Sequence, residues 1–374
     1  MMSPREWLLC DVARCYGYDK ATWSERLQWA RSHDSYLEGA KEPFLYRSAL
    51  MASQAVVTDH LVSLDATASG IQCLALMAQD AVSAMAVNLG SDVVNNPYRR
   101  VQQHMGAYDY DKVKQALMTA FYESVLTPLE LFGSEYNRFV DAARTMLPGP
   151  WLMMELISSC MTEKDFYTWT MMDGFVVNME VTQPVECTMD IGEGHLISWM
   201  EHHRAAVGTR GLTANVTHSL DALVLREVLR RTHCWYHWND EVYFNDFSEM
   251  RDKDILLLQS VIRWQRSGFL SVEFLDHMDS MNGGLVPQDL RDAVDALSLA
   301  EDMYIQPIHD CYRVRATDAS KLFEIVREVM ADLAFAKTAE WILTQLNFQG
   351  QINDSEAKRT ALKAQVLRSS YLIC

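Results

Sequence analysis

The stretch His60-Leu61-Val62-Ser63-Leu64-Asp65-Ala66-Thr67-Ala68-Ser69-Gly70-Ile71-Gln72 decides how this chain is read. His60 to Leu64 has the alternation and branched side chains of a short strand, ending at Asp65. The small residues Ala66 to Gly70 form a turn, and Ile71 to Asp80 continues as a helix. A carboxylate therefore stands where a strand gives way to a turn. A second one has a similar setting. Tyr304 to Val314 reads as a hairpin, with His309-Asp310 near its tip. Aspartates at strand ends are more often turn formers or helix caps than ligands. Two of them on adjacent strands would nonetheless suit phosphoryl transfer, which needs charge neutralised and reactants held together. Two Mg²⁺ ions roughly 3.5–4 Å apart do this in polymerases, and Mg²⁺ takes one or two carboxylates per site. Spacing along the chain does not by itself bring Asp65 and Asp310 together.

Working outward, residues from about 5 to 55 read as helical. Trp23, Leu27, Ala30 and Arg31 recur at helical spacing, and Phe44, Leu45, Leu50 and Met51 make a second apolar run. Asp111 to Tyr122 reads as a helix, after Tyr108-Asp109-Tyr110. Pro128, Gly133, Pro148, Gly149 and Pro150 punctuate the next stretch. Asp173-Gly174 signals a hairpin between Tyr167–Thr170 and Phe175–Val177. Val185 to Ile191 reads as a strand, and Asn215 to Thr232 as a helix with Leu220, Leu223, Val224 and Val228 on one face. Ala316-Thr317-Asp318 leads into a helix through Ala334. The expected class is α+β, mostly helical, without repeats.

Composition bounds the function. Hydrophobic residues are 49% and charged residues 22%, as in soluble globular proteins. The opening Met1-Met2-Ser3-Pro4-Arg5-Glu6-Trp7 lacks a signal-peptide plan. The longest apolar stretch, Ile71 to Leu89, is interrupted by Gln72, Gln79, Asp80 and Asn88, so no membrane span is expected. Eight cysteines without a CxxC pair point to reduced thiols in a cytosol. There is no GxxxxGK[ST] phosphate loop. His233-Cys234-x-x-His237 has zinc-ligand types but no second pair at suitable spacing. The net charge of −17 is awkward for a protein that handles phosphates. Either basic residues line a local cleft, or a second, more basic chain holds most of the nucleic acid.

Four motifs in order carry a resemblance. Val62 to Gln72 is similar to motif A of the single-subunit DNA-dependent RNA polymerases of phages and mitochondria, Asp-Gly-x-x-Ser-Gly-Ile-Gln. Lys114-Gln115-Ala116-Leu117-Met118-Thr119-Ala120-Phe121-Tyr122 resembles their motif B, Lys-x-x-x-Met-Thr-x-x-Tyr-Gly. Asn215-Val216-Thr217-His218-Ser219-Leu220-Asp221 is similar to their Asn-x-x-His-Ser-x-Asp helix start. Ile308-His309-Asp310-Cys311-Tyr312 resembles motif C, and Leu322 to Met330 the helix after it. The resemblance covers about half of the chain.

It implies a right-hand polymerase: a palm with a small antiparallel sheet, and helical fingers. The corresponding regions are 1–58, helical support for the palm; 59–110, palm with motif A; and 111–170, fingers with motif B. They continue with 171–235, strands and the His-Ser-x-Asp helix; 236–300, an inserted helical subdomain; and 301–374, the motif C hairpin and closing helices. Asp65 and Asp310 would bind two Mg²⁺ ions, with the backbone carbonyl of Ala66 as a further ligand. Lys114, Met118 and Tyr122 are spaced four apart, on one helical face. A stripe of that kind is usually a surface Lys above two core residues. By the resemblance, Lys114 contacts the triphosphate and protonates the leaving pyrophosphate. Met118, Gly70, Tyr122 and His218 meet the nucleotide, Tyr122 near the nascent base pair and His218 on its other side.

There are departures. Tyr110 and Gln115 stand where arginines often face the triphosphate, which removes charge-assisted contacts. Arg99, Arg100 and Lys112 are local substitutes. Glu123 replaces the Gly after the tyrosine, Cys73 a His, and Ala66 a Gly. Only residues 1–64 precede Asp65, and no Asp-x-x-Gly-Arg motif lies among them. The expectation is therefore a catalytic subunit of a split polymerase, in the cytoplasm of an infected bacterium. A second subunit would carry the thumb and promoter-binding regions. Substrates and partners would be a DNA template, nascent RNA and nucleoside triphosphates, with no membrane. Residues 222–309 span a gap that the family bridges with far fewer. Its first part is aromatic, with Trp235, Tyr236, Trp238, Tyr243, Phe244 and Phe247. A DNA polymerase-like activity and an inactive scaffold subunit are the alternatives. Ser69-Gly70-Ile71 has no Glu to exclude a ribose 2′-hydroxyl, and Cys311 rather than Glu follows Asp310, both in favour of RNA synthesis.

Overall fold

The computed structural model describes residues 2–33, 37–162, 164, 166–192, 194–204, 211–234, 236, 238 and 250–374, without the side chains of 182–184 and 202–204. Trp235, His237, Tyr243, Phe244 and Phe247 lie outside these residues. The chain is mostly helical with small antiparallel sheets. The central sheet has three strands in the order β1 (Leu61–Asp65), β7 (Cys311–Arg315), β6 (Ile305–Ile308). The pairs β2 (Phe166–Thr170) with β3 (Val176–Glu180), and β4 (Thr182–Asp190) with β5 (Leu196–Arg204), are separate ribbons.

β1 forms because Val62 and Leu64 alternate into the core, while Asp65 ends the strand at the surface. Its register with β7 runs from Leu61 opposite Arg315 to Asp65 opposite Cys311. β6 and β7 are joined by His309-Asp310 alone, with Ile308 opposite Cys311. A two-residue reversal needs a positive φ, and His309 supplies it at +57°. The other edge of β1 is covered by the segment Tyr371 to Cys374. The Cys374 N–H donates to the Asp65 carbonyl at 2.8 Å, and Ile373 bridges to Ala66.

The Ser69–Met77 helix follows β1. Every residue from Gly70 to Met77 is buried, so the helix is enclosed on all faces, and its one side-chain amide, Gln72, donates to the Val87 and Leu372 carbonyls at 2.9 and 3.0 Å. It packs against the Pro148–Ser159, Leu212–Thr232 and Ala319–Phe335 helices. It stops three residues before the expected end. Gln79 takes φ +54°, and the Asp80 carboxylate caps a new helix, Ala81–Ala86, by accepting from the N–H groups of Val82 and Ser83.

The N-terminal region is helical, in the separate helices Pro4–Ala13, Trp23–Ser32 and Pro43–Gln54. Ser3 and Thr22 each start one with a capping box. The Pro43–Gln54 helix corrects one expectation. Phe44 is 90% exposed and Met51 64%, while Tyr46, Ala49, Ala52 and Ser53 are buried. The mostly small stripe lets this helix approach Pro4–Ala13 closely, which turns the larger side chains outward. Within residues 250–299, the Asp252–Ser267 and Gln288–Asp295 helices enclose a small core of Leu257, Val261, Leu270, Phe274, Val286, Leu290 and Val294. No helix among the described residues is long and apolar enough to cross a membrane.

An ionic knot ties this region to the rest. Arg231, fully buried, donates to Glu227 at 2.9 Å, to Asp332 at 2.9 Å and to the Leu270 carbonyl at 2.6 Å. Glu227 also accepts from the Val272 N–H at 3.0 Å, and Lys363 reaches Asp332 at 2.8 Å. Arg231→Ala takes from Glu227, at 0% side-chain exposure, its close cation partner and leaves only Arg230 at 3.9 Å. Such a change costs about 3–5 kcal/mol, so the urea midpoint should fall sharply, and a midpoint within error of the parent would contradict the role assigned to the knot.

Candidate active site

Asp65 and Asp310 meet at a cleft of about 700 Å³. β1 brings the first to its carboxyl end, and the β6–β7 tip brings the second beside it. The Ala66 N–H donates to the Asp310 carbonyl at 3.3 Å, which fixes the two segments to each other. Among the described residues, neither carboxylate makes an ion pair or a side-chain hydrogen bond. Asp65 opens into the cleft, yet the protein around it withholds water and raises its pKa. The Asp310 charge raises it further, and Lys20 and Arg14 oppose the shift. Burial, followed by the Asp65 charge, pushes the facing Cys311 thiol up to about 11.

Two uncompensated carboxylates at one point fit a divalent cation. No group of three His, Cys, Asp or Glu side chains converges among the described residues. That donor set suits Mg²⁺, which keeps water and substrate oxygens in its shell, better than a closed protein cage.

The remaining expected residues line the same cleft: Ala66, Gly70, Lys114, Met118, Tyr122 and His218. The Tyr110–Ala120 helix starts at its Asp109 cap and presents Lys114 and Met118 to solvent. Tyr122 lies just past the helix end, in the turn after it. Its ring meets His218 edge-on at 4.9 Å. Burial, then the Asp221 charge, pushes its hydroxyl up to about 12, so it stays protonated. Gly70 lies directly beneath it. A methyl group there would stand 2.8 Å from the Tyr122 hydroxyl oxygen and 3.0 Å from the Thr217 methyl. The glycine is required by this close approach.

Glu123 explains its own departure. It has φ +66°, a conformation that favours Gly. Its carboxylate accepts from the N–H groups of Gly211 at 3.1 Å and Thr213 at 3.4 Å. It thus caps the Leu212–Thr232 helix, which carries His218 and Asp221. Cys73 has a similar local purpose, its thiol facing the Asp221 carboxylate at 3.4 Å.

Arg99, Arg100 and Lys112 are not among the cleft's lining residues. Arg99 instead lies over the Tyr110 ring at 5.0 Å, and Tyr110 does line the cleft. The positive charge comes from elsewhere. Lys20 and Lys41 line the cleft on the Asp65 side, sharing Asp19 at 3.8 and 3.3 Å. They belong to no motif in the sequence. The local signal is the Thr22–Glu25 capping box, which starts a helix soon after Lys20.

β1 is held from behind by Asp11. Its carboxylate accepts from the Ser63 N–H at 3.3 Å and faces Arg14 and His60 at 2.8 and 2.9 Å. Burial alone would raise its pKa, but the His60 hydrogen bond and the Arg14 charge hold it below the usual range.

Comparison with known protein families and with curated proteins finds no match to this chain.

Asp221 has the opposite setting to Asp11. Burial lifts its pKa from 3.8 to about 6; the Cys73 and Ser69 hydrogen bonds oppose this and the Asp310 charge adds to it. The folded protein therefore binds a proton between about pH 4 and 6 that the unfolded chain has released. Stability falls as pH rises through that window, and the penalty is complete above about pH 6. Asp221→Asn should stabilise the fold at pH 7.5 by about 1–3 kcal/mol and by much less at pH 4. Equal denaturation midpoints for parent and variant at both pH values would refute this.

Proposed function

We propose that this chain synthesises RNA from ribonucleoside triphosphates on a DNA template, as the catalytic subunit of a single-subunit-type RNA polymerase. The reading rests on the convergence of Asp65 and Asp310, as free carboxylates, in a cleft that also holds Lys114, Tyr122 and His218. Residues separated by most of the chain line one cleft, and this convergence supports the reading.

In this reading the 3′-hydroxyl of the growing strand attacks the α-phosphorus of the bound nucleotide. A new phosphodiester bond forms, the bond to the β-phosphate oxygen breaks, and pyrophosphate leaves. Asp65, Asp310 and the Ala66 carbonyl would hold two Mg²⁺ ions, which neutralise the developing charge on the phosphate oxygens. Lys114 has no ion pair among the described residues, so its ammonium is free to bind the β- and γ-phosphates and donate a proton to the leaving group. Lys20 and Lys41 add positive charge on the Asp65 side, where Tyr110 and Gln115 supply none.

Tyr122 and His218 bear on the sugar and base. The Tyr122 hydroxyl over Gly70 presents a protonated donor where the ribose would lie. No Glu side chain occupies position 70 to block a 2′-hydroxyl, so ribonucleotides are admitted. The overall charge of −17 makes a second, basic subunit the natural holder of the duplex.

Primer extension on a primed DNA template tests the reading. Asp310→Asn should lower ribonucleotide incorporation at least about 1000-fold, equivalent to about 4 kcal/mol in the barrier, while the fold melts no earlier than the parent. Lys114→Ala should lower it about 100-fold. Unchanged incorporation by Asp310→Asn, or a strong preference for deoxyribonucleotides in the parent, would overturn the proposal.

A further inference from the structure

A second cavity, of about 910 Å³, lies away from the carboxylates. Two helices border it. From Asp252–Ser267 come Gln259, Ile262, Arg263, Gln265 and Arg266; residues 337–345, including the Thr338–Gln345 helix, add Lys337, Glu340, Trp341, Thr344 and Gln345. At one end the two are stapled together by the Lys337 N–H, which donates to the Ser267 carbonyl at 2.7 Å. Against β2, Trp341 and Gln345 both donate to the Thr170 carbonyl, at 2.7 and 3.1 Å. The groove is thus built on fixed backbone and is not a gap between mobile parts.

Its charge is unusual for this chain. The whole protein carries −17, yet three cations and one acid line the groove. Arg263 is paired with Glu273 at 2.8 Å. Arg266 and Lys337 make no ion pair among the described residues. The lining also includes an indole and Ile262, 45% exposed, with three glutamines and two threonines. A groove meant for a partner helix would offer a continuous apolar floor. A site for a small anion would not need two helix lengths of amide side chains and an aromatic ring.

We infer that this groove binds single-stranded nucleic acid. Arg266 and Lys337 engage the phosphates. Trp341 and Ile262 give the bases an apolar contact, and Gln259 and Gln265 reach sugar and base edges. The inference stands apart from the proposed chemistry, because the ligand class follows from the groove's own residues.

The test is fluorescence anisotropy of the full chain with fluorescein-labelled twelve-nucleotide oligouridylate, oligothymidylate and a twelve-base-pair DNA duplex, at several salt concentrations. The double variant Arg266→Glu/Lys337→Glu should weaken single-strand binding at least about 10-fold. It should also flatten the salt dependence by about 1.4 in log–log slope, about 0.7 for each phosphate no longer neutralised. A control of equal charge change on other exposed residues, Arg5→Glu/Arg368→Glu, should shift affinity less than about 3-fold. Arg266→Gln/Lys337→Gln, which reverses no charge, should give a smaller loss in the same direction. The RNA and DNA oligomers distinguish which strand the groove prefers, and tight binding of either supports it. Equal shifts from the groove and control pairs, no shift from the groove pair, or tighter binding of duplex than of both single strands would overturn the inference.

Discussion

Antiparallel pairing of β1 with β7 sets Asp65 opposite Cys311, next to Asp310, and brings the two carboxylates near enough that the charge of one raises the pKa of the other. The rest of the fold bears that repulsion. Asp11 anchors the back of β1, the Tyr371–Cys374 segment closes its free edge, and the Ala66 N–H ties it to the Asp310 carbonyl. None of these contacts neutralises Asp65 or Asp310. They fix the backbone so that the charge is left for something that enters the cleft. Asp221, buried on a neighbouring wall with a thiol for company, adds to the same electrostatic load.

Local grammar made much of this readable. Strand alternation at Val62 and Leu64, small residues after Asp65, and a two-residue tip at His309-Asp310 each have one favoured geometry, and the structure adopts it. The ordered motifs then led to the residues that line the cleft. Other features depend on distance in space rather than on sequence. Lys20 and Lys41 reach the cleft only through the packing of the N-terminal helices. Phe44 and Met51 looked like core by their type, but Ala49 and Ala52 allow the closer helix contact and win the buried face. Glu123 read as a lost glycine. Its use as a cap for a helix that begins far along the chain is invisible until both ends are placed.

Charge is unevenly distributed. The acidic excess of the chain is relieved where cations are needed: around Asp332 and Glu227 inside, and along the cleft and the outer groove. Arg231 and Lys363 are committed to structure. Lys114, Arg266 and Lys337 have no ion partner among the described residues. The first lines the cleft and the other two line the groove.

The Glu123 cap has a mechanical side. It fastens the end of the Tyr110–Ala120 segment to the start of the Leu212–Thr232 helix. Tyr122, one residue before that fastening, touches His218. Two adjacent residues thus join the end of one helix to the start of another, and the spacing between the tyrosine and the histidine on the cleft wall is set by backbone rather than by side-chain packing alone.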